Sequence, residues 1–154
     1  MSPAGAKAVR AGKQFENIIL PLLQGTQYDP HFQQPFQNGK PWGSLCKLDV
    51  LIYDTKSGDK IAVSQKNQGG QGSAEEKIWW EMLLMTSLVA RKYADRAYIC
   101  MLGNGWTPAL KEFVQSPHLK EFLPRLAYGM NWEEAPLEIL GIDEFVSRIH
   151  KCTL

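Results

Sequence analysis

Two residues of opposite charge, Asp49 and Lys66, lie on neighbouring segments that both have the composition of β-strands. Segments 47–54 and 60–66 are apolar and rich in β-branched residues, and turn residues separate them. If Ser57-Gly58 forms the centre of a hairpin turn, counting outward places Asp49 directly opposite Lys66. Such residues share one sheet face, with Cβ atoms about 5 Å apart. A carboxylate and an ammonium group so placed could bind a divalent metal and activate water at a phosphate.

The same pair also fits a simpler interpretation. A cross-strand Asp–Lys pair is usually a solvated surface pair that contributes little to stability. A slip of the hairpin register by one residue would instead place Gln65 opposite Asp49. The surrounding elements must therefore decide whether the pair belongs to a site.

The bulk composition is that of a soluble globular protein, with 154 residues, 44% hydrophobic and 21% charged. This length predicts a single domain over residues 1–154. The net charge of +1 gives no global signal for nucleic acid, although a local basic cleft stays possible. No segment is apolar enough to span a membrane or to act as a signal peptide. Three cysteines without CxxC spacing favour a reducing, cytoplasmic compartment over a disulfide frame or a zinc site.

Periodicity along the chain predicts alternating helices and strands. Helices are expected at 6–23, from Ser73 to about Tyr93, at 109–114 with a possible second piece at 119–123, and at 142–150. The remaining strands are expected at 97–102 and 137–140. A long connection at 25–44 precedes the hairpin. This order predicts an α/β fold with a mixed central sheet covered by helices on both faces.

Three glutamates stand where helices could direct them toward the hairpin. Glu16 lies at the edge of the apolar stripe of the first helix. Glu81 flanks the buried stripe of the second helix, which is an unusual position for an unpaired carboxylate. Glu76 forms a capping-box pattern with Ser73, and capping is its expected role.

The order of these elements and their motifs resembles the PD-(D/E)XK nuclease superfamily, which includes many restriction and homing endonucleases. The resemblance runs from about Ala11 to Leu102. The matching segments are Gly12-Lys13-Gln14-Phe15-Glu16, Leu48-Asp49-Val50 and Val63-Ser64-Gln65-Lys66. It implies a restriction-endonuclease-like fold and hydrolysis of DNA phosphodiester bonds.

Ser64 departs from the pattern of this superfamily, whose members usually carry Asp or Glu two residues before the lysine. In some restriction enzymes with Ser at this position, a glutamate of the following helix takes over the metal-binding role. Glu81 is the candidate for that replacement, and Glu76 is a weaker one. Gln65 is a further candidate, because some members carry Gln or Asn as the middle ligand.

The resemblance also implies a role for each residue. Asp49 would bind Mg²⁺, with Mn²⁺ as a possible substitute, through hard carboxylate oxygen. Glu16 would complete the coordination or bind a second metal. Lys66 would orient or deprotonate the attacking water and stabilise charge on the phosphate. Gln68 would contact the scissile phosphate, unless it is simply a polar residue at the end of a strand.

DNA contacts are expected from the 25–44 connection, a long loop rich in amide side chains that can read base edges. Lys40 could contact phosphate. A solvated loop without such contacts is an equally good interpretation. The amide candidates are Gln33, Gln34, Gln37 and Asn38.

Together these features predict a metal-dependent, site-specific DNA endonuclease of the restriction or homing type. The alternatives are a structure-specific repair or recombination nuclease and a catalytically inactive DNA-binding module of the same fold. One active site per chain favours a homodimer or homotetramer on double-stranded DNA. Trp80 lies nearly opposite Met82 and Met85 on the second helix, so we expect it to be exposed and to mark an interface, or else to pack under a loop.

Overall fold

The computed structural model describes residues 3–40, 42–70, 74–117, 119 and 137–154. Within these parts of the chain the helices are α1 (Pro3–Leu23), α2 (Ala74–Ala90), α3 (Pro108–Gln115) and α4 (Ile142–His150). The strands are β1 (Tyr28–Phe36), β2 (Cys46–Asp54), β3 (Lys60–Asn67), β4 (Arg96–Leu102) and β5 (Leu137–Gly141).

The five strands form one mixed sheet in the order β1-β2-β3-β4-β5. The first three strands pair antiparallel, and β3, β4 and β5 pair parallel. Phe15 of α1 and Phe145 of α4 pack in one core cluster on one side of the sheet, which we call the α1 face. Met82 and Met85 of α2 pack in the other cluster, on the α2 face. The predicted mixed sheet with helices on both faces is therefore confirmed.

Strand β3 distributes its side chains between these two faces. Ile61 and Val63 pack in the core of the α1 face, and Ala62 packs in the core of the α2 face. Because side chains alternate along a strand, Ser64 and Lys66 follow Ala62 onto the α2 face. The strand thus presents two polar side chains to helix α2 at the end where its apolar run stops.

The β2–β3 register differs from the predicted one by two residues. The observed pairs include Tyr53 with Lys60 and Val50 with Val63, so Asp49 and Lys66 are not directly opposed. The reason is the turn, which is four residues long (55–58) and not two, because Asp54 N–H bonds to the carbonyl of Asp59. The Asp54 carboxylate accepts the backbone N–H groups of residues 56 and 57, which stabilises this longer turn.

The predicted 25–44 loop is wrong for its central part, because residues 28–36 form the edge strand β1. Pro30 and Pro35 are unfavourable residues for a strand, since proline has no N–H to donate. At an edge the missing donor can face away from the sheet, so both prolines are accommodated opposite Ile52 and Lys47.

Helix boundaries agree with the predictions within a few residues. Helix α1 continues through Pro21 to Leu23, and α2 ends at Ala90, three residues before the predicted end. Ser73 and most of the predicted 119–123 helix lie outside the described residues. Along the parts of the chain that the structure describes, no helix is both long and apolar enough to cross a membrane.

Candidate active site

Asp49 is held against strand β3 at the point where the β2–β3 ladder stops. The paired register ends at Val50 and Val63, one residue before Asp49. Beyond it, the backbone N–H of Gln65 donates to Asp49 Oδ2 at 2.8 Å, and Ser64 Oγ donates to the same oxygen at 3.4 Å. The carboxylate thus replaces a backbone acceptor of the ladder, and this fixes its position beside β3.

Lys66 links this carboxylate to helix α2. Its Nζ lies 2.7 Å from Glu81 Oε2 and donates to Ser64 Oγ at 3.3 Å. The Lys66 and Glu81 side chains are 26% and 15% exposed, so the ion pair is only partly open to solvent. A continuous chain of polar contacts therefore runs from Glu81 through Lys66 and Ser64 to Asp49.

The structure brings these four predicted residues together by another route than direct opposition. A register shift of two residues keeps every side chain on its predicted face, because the side-chain period of a strand is two. Lys66 therefore still faces the same side as Ser64, and α2 delivers Glu81 to it. The flanking position of Glu81 on the helix predicts a partner in the fold, and the structure places Glu81 in direct contact with the lysine.

The surroundings of Asp49 disfavour its charge. Burial raises the pKa of the Asp49 carboxyl above its ordinary value of 3.8, and the nearby negative charge of Glu81 raises it further. The Gln65 N–H, the Lys66 ammonium and the Ser64 hydroxyl act in the opposite direction without compensating for burial. A buried carboxylate next to a second carboxylate is stabilised when a cation binds between them.

The donor set fits a hard divalent cation. Asp49 Oδ1 and Glu81 Oε1 accept no hydrogen bond from any described residue, so each carboxylate keeps one oxygen available. Among the described residues there is no group of three or more His, Cys, Asp or Glu side chains that could hold a metal. Mg²⁺ commonly uses only one or two carboxylates together with water and substrate phosphate, so two suffice.

Gln65 and Glu16 lie toward the other side of the sheet. Alternation along β3 directs the Gln65 side chain to the α1 face, where its parallel partner Cys100 packs in the core. Gln65 Oε1 is buried and accepts no hydrogen bond from a described residue. Glu16 is half-buried on α1, and no ion pair or hydrogen bond joins it to a described side chain. The structure therefore does not join the side chains of these two residues to the Asp49–Glu81 cluster, which Gln65 contacts only through its backbone N–H.

Gln68 has a structural environment that differs from its predicted one. Its side chain is buried, with 4% exposed, and its Nε2 donates to the carbonyl of Gly105 at 2.7 Å. Contact with a phosphate would require this buried side chain to become accessible, so that role of Gln68 stays a prediction beside the alternative of a polar residue at the end of a strand.

The predicted DNA-contacting amides lie on an edge strand and the turn after it. Gln33, Gln37 and Asn38 are exposed, and Gln34 is half-buried. Gln33 has a φ of 53°, which breaks the regular geometry of β1 beside Asp49 of the neighbouring strand. Lys40 follows them in the turn and is half-buried.

Cysteine chemistry is disfavoured in this region. Burial raises the pKa of the Cys46 thiol, and the charges of Glu81 and Asp49 raise it further. Burial alone raises the pKa of Cys100 to about 12. Because the thiolate is the nucleophile, these two buried cysteines are unreactive structural residues at neutral pH.

We expect Asp49→Asn to raise the free energy of unfolding at neutral pH in metal-free buffer. The folded protein holds the Asp49 pKa above its ordinary value, so ionisation opposes folding. Asparagine keeps a side-chain oxygen that can accept the Gln65 N–H. The gain should be present above the folded-state pKa and shrink as the pH falls through it. Denaturant titration at several pH values measures this difference, and a variant less stable than wild type at neutral pH would contradict it.

Comparisons with known proteins show which family this chain is similar to. A family model described as PD-(D/E)XK nuclease superfamily domain matches residues 7–152. Among solved structures, the crystal structure of a repair endonuclease from Pyrococcus abyssi is similar, with 14% sequence identity and a TM-score of 0.40. The alignment covers 82% of this chain and 45% of that one, so this chain spans less than half of the endonuclease. No curated protein gives a significant sequence match.

Proposed function

Because the chain belongs to the PD-(D/E)XK nuclease superfamily, we propose that it is a metal-dependent DNA endonuclease whose acid at the Ser64 position has been replaced by Glu81. The observation that carries this proposal is the 2.7 Å contact between Lys66 and Glu81, next to the half-buried Asp49 carboxylate. If Lys66 and Glu81 formed only a surface ion pair, no second carboxylate shielded from solvent would be needed beside them.

Asp49 and Glu81 would hold the cation, which is Mg²⁺ or its substitute Mn²⁺ in this proposal. When bound, such an ion polarises a phosphate oxygen and lowers the pKa of a bound water. The Gln65 N–H and Ser64 hydroxyl keep Asp49 in place, and they use only one of its two oxygens. Glu16 stays a predicted further ligand, which the contacts of the described residues do not support.

Lys66 would act on the phosphate and on the attacking water. In the observed arrangement its ammonium is held between Glu81 and Ser64, which restricts the flexible side chain. From there it can donate a hydrogen bond to a phosphate oxygen, where negative charge grows as water adds to phosphorus. The attacking water releases a proton to solvent, the bond from phosphorus to the leaving oxygen breaks, and that oxygen takes up a proton from solvent.

A cleavage assay with several DNA forms tests the proposal. Purified protein is incubated with duplex, branched and single-stranded DNA in Mg²⁺, in Mn²⁺ and in chelator. We expect cleavage of at least one form with either metal and none in chelator. If neither metal supported cleavage of any DNA form, the proposed enzymatic activity would be contradicted. The alternative of an inactive DNA-binding module, which the presence of Ser64 supports, would then be favoured.

The same assay separates two substrate classes. Cuts at one position of duplex DNA would support the site-specific restriction or homing type, which the amide-rich strand β1 favours. Cuts at junctions or in single strands would support the structure-specific type. The similarity to the repair endonuclease from Pyrococcus abyssi is too distant to choose between the two.

Double-strand cleavage leads to a prediction about assembly. One domain of this size carries one such site, so reaching both strands requires two copies related by a two-fold axis. If the protein cuts both strands of a duplex, we therefore expect a homodimer or homotetramer on that duplex. Light scattering after size-exclusion chromatography measures the mass. A monomer that still makes double-strand cuts would contradict this expectation.

A further inference from the structure

An aromatic groove opens beside the candidate active site. Trp42 and Trp80 are 65% and 67% exposed, the largest exposed fractions among the big hydrophobic side chains that the structure describes. They line one groove of about 170 Å³. Its full lining is Lys40, Trp42, Trp80, Glu81, Leu83 and Leu84. Large apolar side chains grouped in this way at a surface usually mark a binding site.

One side of the groove is anchored by hydrogen bonds and close packing. Arg91, near the end of α2, donates three hydrogen bonds to the turn that carries Lys40: to the carbonyls of Asn38 at 2.6 Å, Lys40 at 3.2 Å and Gly39 at 3.3 Å. The backbone N–H of Lys40 donates to Ser44 at 3.1 Å. A Cβ atom on Gly39 would lie 2.6 Å from Cys46 Cβ, so the turn packs tightly on β2. The turn therefore holds Trp42 in position against α2.

Glu81 connects the groove to the chemistry. It lines the groove and contacts Lys66 through its carboxylate. Lys40 adds a positive charge, with its Nζ 5.5 Å from the centre of the Trp42 ring. A ligand in the groove would therefore lie next to the residues proposed to act at the phosphate, with a cation available for a neighbouring phosphate.

We infer that this groove stacks an unpaired nucleobase of the strand being cut. Indole rings stack on bases without regard to sequence, and nearby lysines attract the backbone of the same strand. Paired bases are stacked inside a duplex, and their faces cannot reach an indole. The substrate class is therefore DNA with unpaired nucleotides at the cut, such as a single strand, a flap or a splayed junction. This inference rests on the proposed nuclease function.

A second copy of the chain is a poorer occupant. A stable protein interface uses about 20–30 residues on each side. This groove is lined by only six residues, which is a size suited to one planar group. The two tryptophans also lie beside a charged site, whereas the centre of an interface is usually depleted of charge.

The test is a binding measurement in metal-free buffer, so that it does not depend on cleavage. Fluorescence anisotropy gives the affinity for a short single strand, for the same strand with abasic sites and for the matching duplex. We expect wild type to bind the intact strand about 5- to 100-fold more tightly than the abasic strand. Trp80→Ala and Trp42→Ala should each lose most of this difference while still binding the abasic strand.

Two control variants separate stacking from structural damage. Trp80→Phe keeps an aromatic face and should retain most of the preference for bases. Trp79→Phe alters the neighbouring tryptophan, which packs against Phe113 at 5.5 Å and does not line the groove, and it should bind as wild type does. Thermal unfolding confirms that each variant is folded.

Equal affinity of wild type for intact and abasic strands would overturn the inference, even if the protein proves to be an active nuclease. It would also be overturned if Trp80→Ala lowers the mass of an oligomer in solution and leaves the preference for bases unchanged. The groove would then be a self-association surface. Retained base preference in a protein that never cuts would instead contradict only the nuclease proposal.

Discussion

Asp49→Ala and Lys66→Ala are each expected to lower metal-dependent cleavage by at least about 10²-fold, a loss typical of removing one group that stabilises the transition state. Asp49 is the carboxylate placed to hold the cation, and Lys66 is the cation placed at the phosphate. Neither side chain belongs to the apolar core, so folding should be retained. Initial rates on the best substrate in Mg²⁺ measure the effect.

Lys60→Ala is the matched control for the lysine. Lys60 begins the same strand, at the end of β3 away from Lys66, and its backbone N–H bonds to Asp95. Its removal should leave the cleavage rate unchanged. DNA binding by both active-site variants should also stay close to wild type. Wild-type rates for Asp49→Ala or Lys66→Ala would remove these residues from the site.

Glu81→Gln is expected to reduce cleavage about as strongly as loss of Asp49, because it removes the second carboxylate and leaves Lys66 without its partner. Glu76→Gln is the control on the same helix. Glu76 is exposed, so its loss should cost about 1 kcal/mol of stability at most, as for a weakened helix cap, and little activity. Parallel rate measurements at saturating Mg²⁺ compare the two.

A rescue experiment sharpens this second prediction. Ser64→Asp returns a carboxylate to strand β3, on the same face as Lys66. In the Glu81→Gln background it should restore part of the lost activity if Glu81 serves as the missing acid. Full activity of Glu81→Gln alone would move the ligand role to Gln65 or Glu76, and a lost activity that Ser64→Asp does not restore would contradict the replacement.

The hairpin shows how far the sequence determines the site. Composition located strands β2 and β3 correctly, but the turn length depends on hydrogen bonds from the Asp54 carboxylate to two backbone N–H groups. The dipeptide Ser57-Gly58 is a stronger local signal, and it predicts a two-residue turn instead. The register error of two residues leaves each side chain on its predicted face of the sheet. Asp49, Ser64 and Lys66 therefore still lie together, although Asp49 and Lys66 are not directly opposed.

Strand β1 is not predicted from the sequence, for a different physical reason. Its prolines and amides carry poor strand propensity, and only its position at the sheet edge makes them acceptable. Edge position is a tertiary property that one sequence does not encode locally. The same limit applies to the aromatic groove, because exposure of Trp80 follows from helical spacing, whereas its proximity to Trp42 depends on the turn that Arg91 anchors.

The environment of Glu81 is predictable from the sequence only in part. A carboxylate on the flank of a buried stripe indicated a partner within the fold, and that signal was readable from the sequence. The sequence does not identify that partner, because its identity depends on how α2 docks on the sheet. Only the folded chain shows that the partner is Lys66.

A crystal structure with Ca²⁺ bound tests the central claim most directly, because Ca²⁺ occupies oxygen sites of this kind at distances of about 2.3–2.6 Å. We predict one ion with oxygens of both Asp49 and Glu81 within that range, and Lys66 beside it. An ion bound elsewhere without Glu81, for example by Glu16 and Gln65 on the α1 face, would contradict the replacement of the missing acid by Glu81.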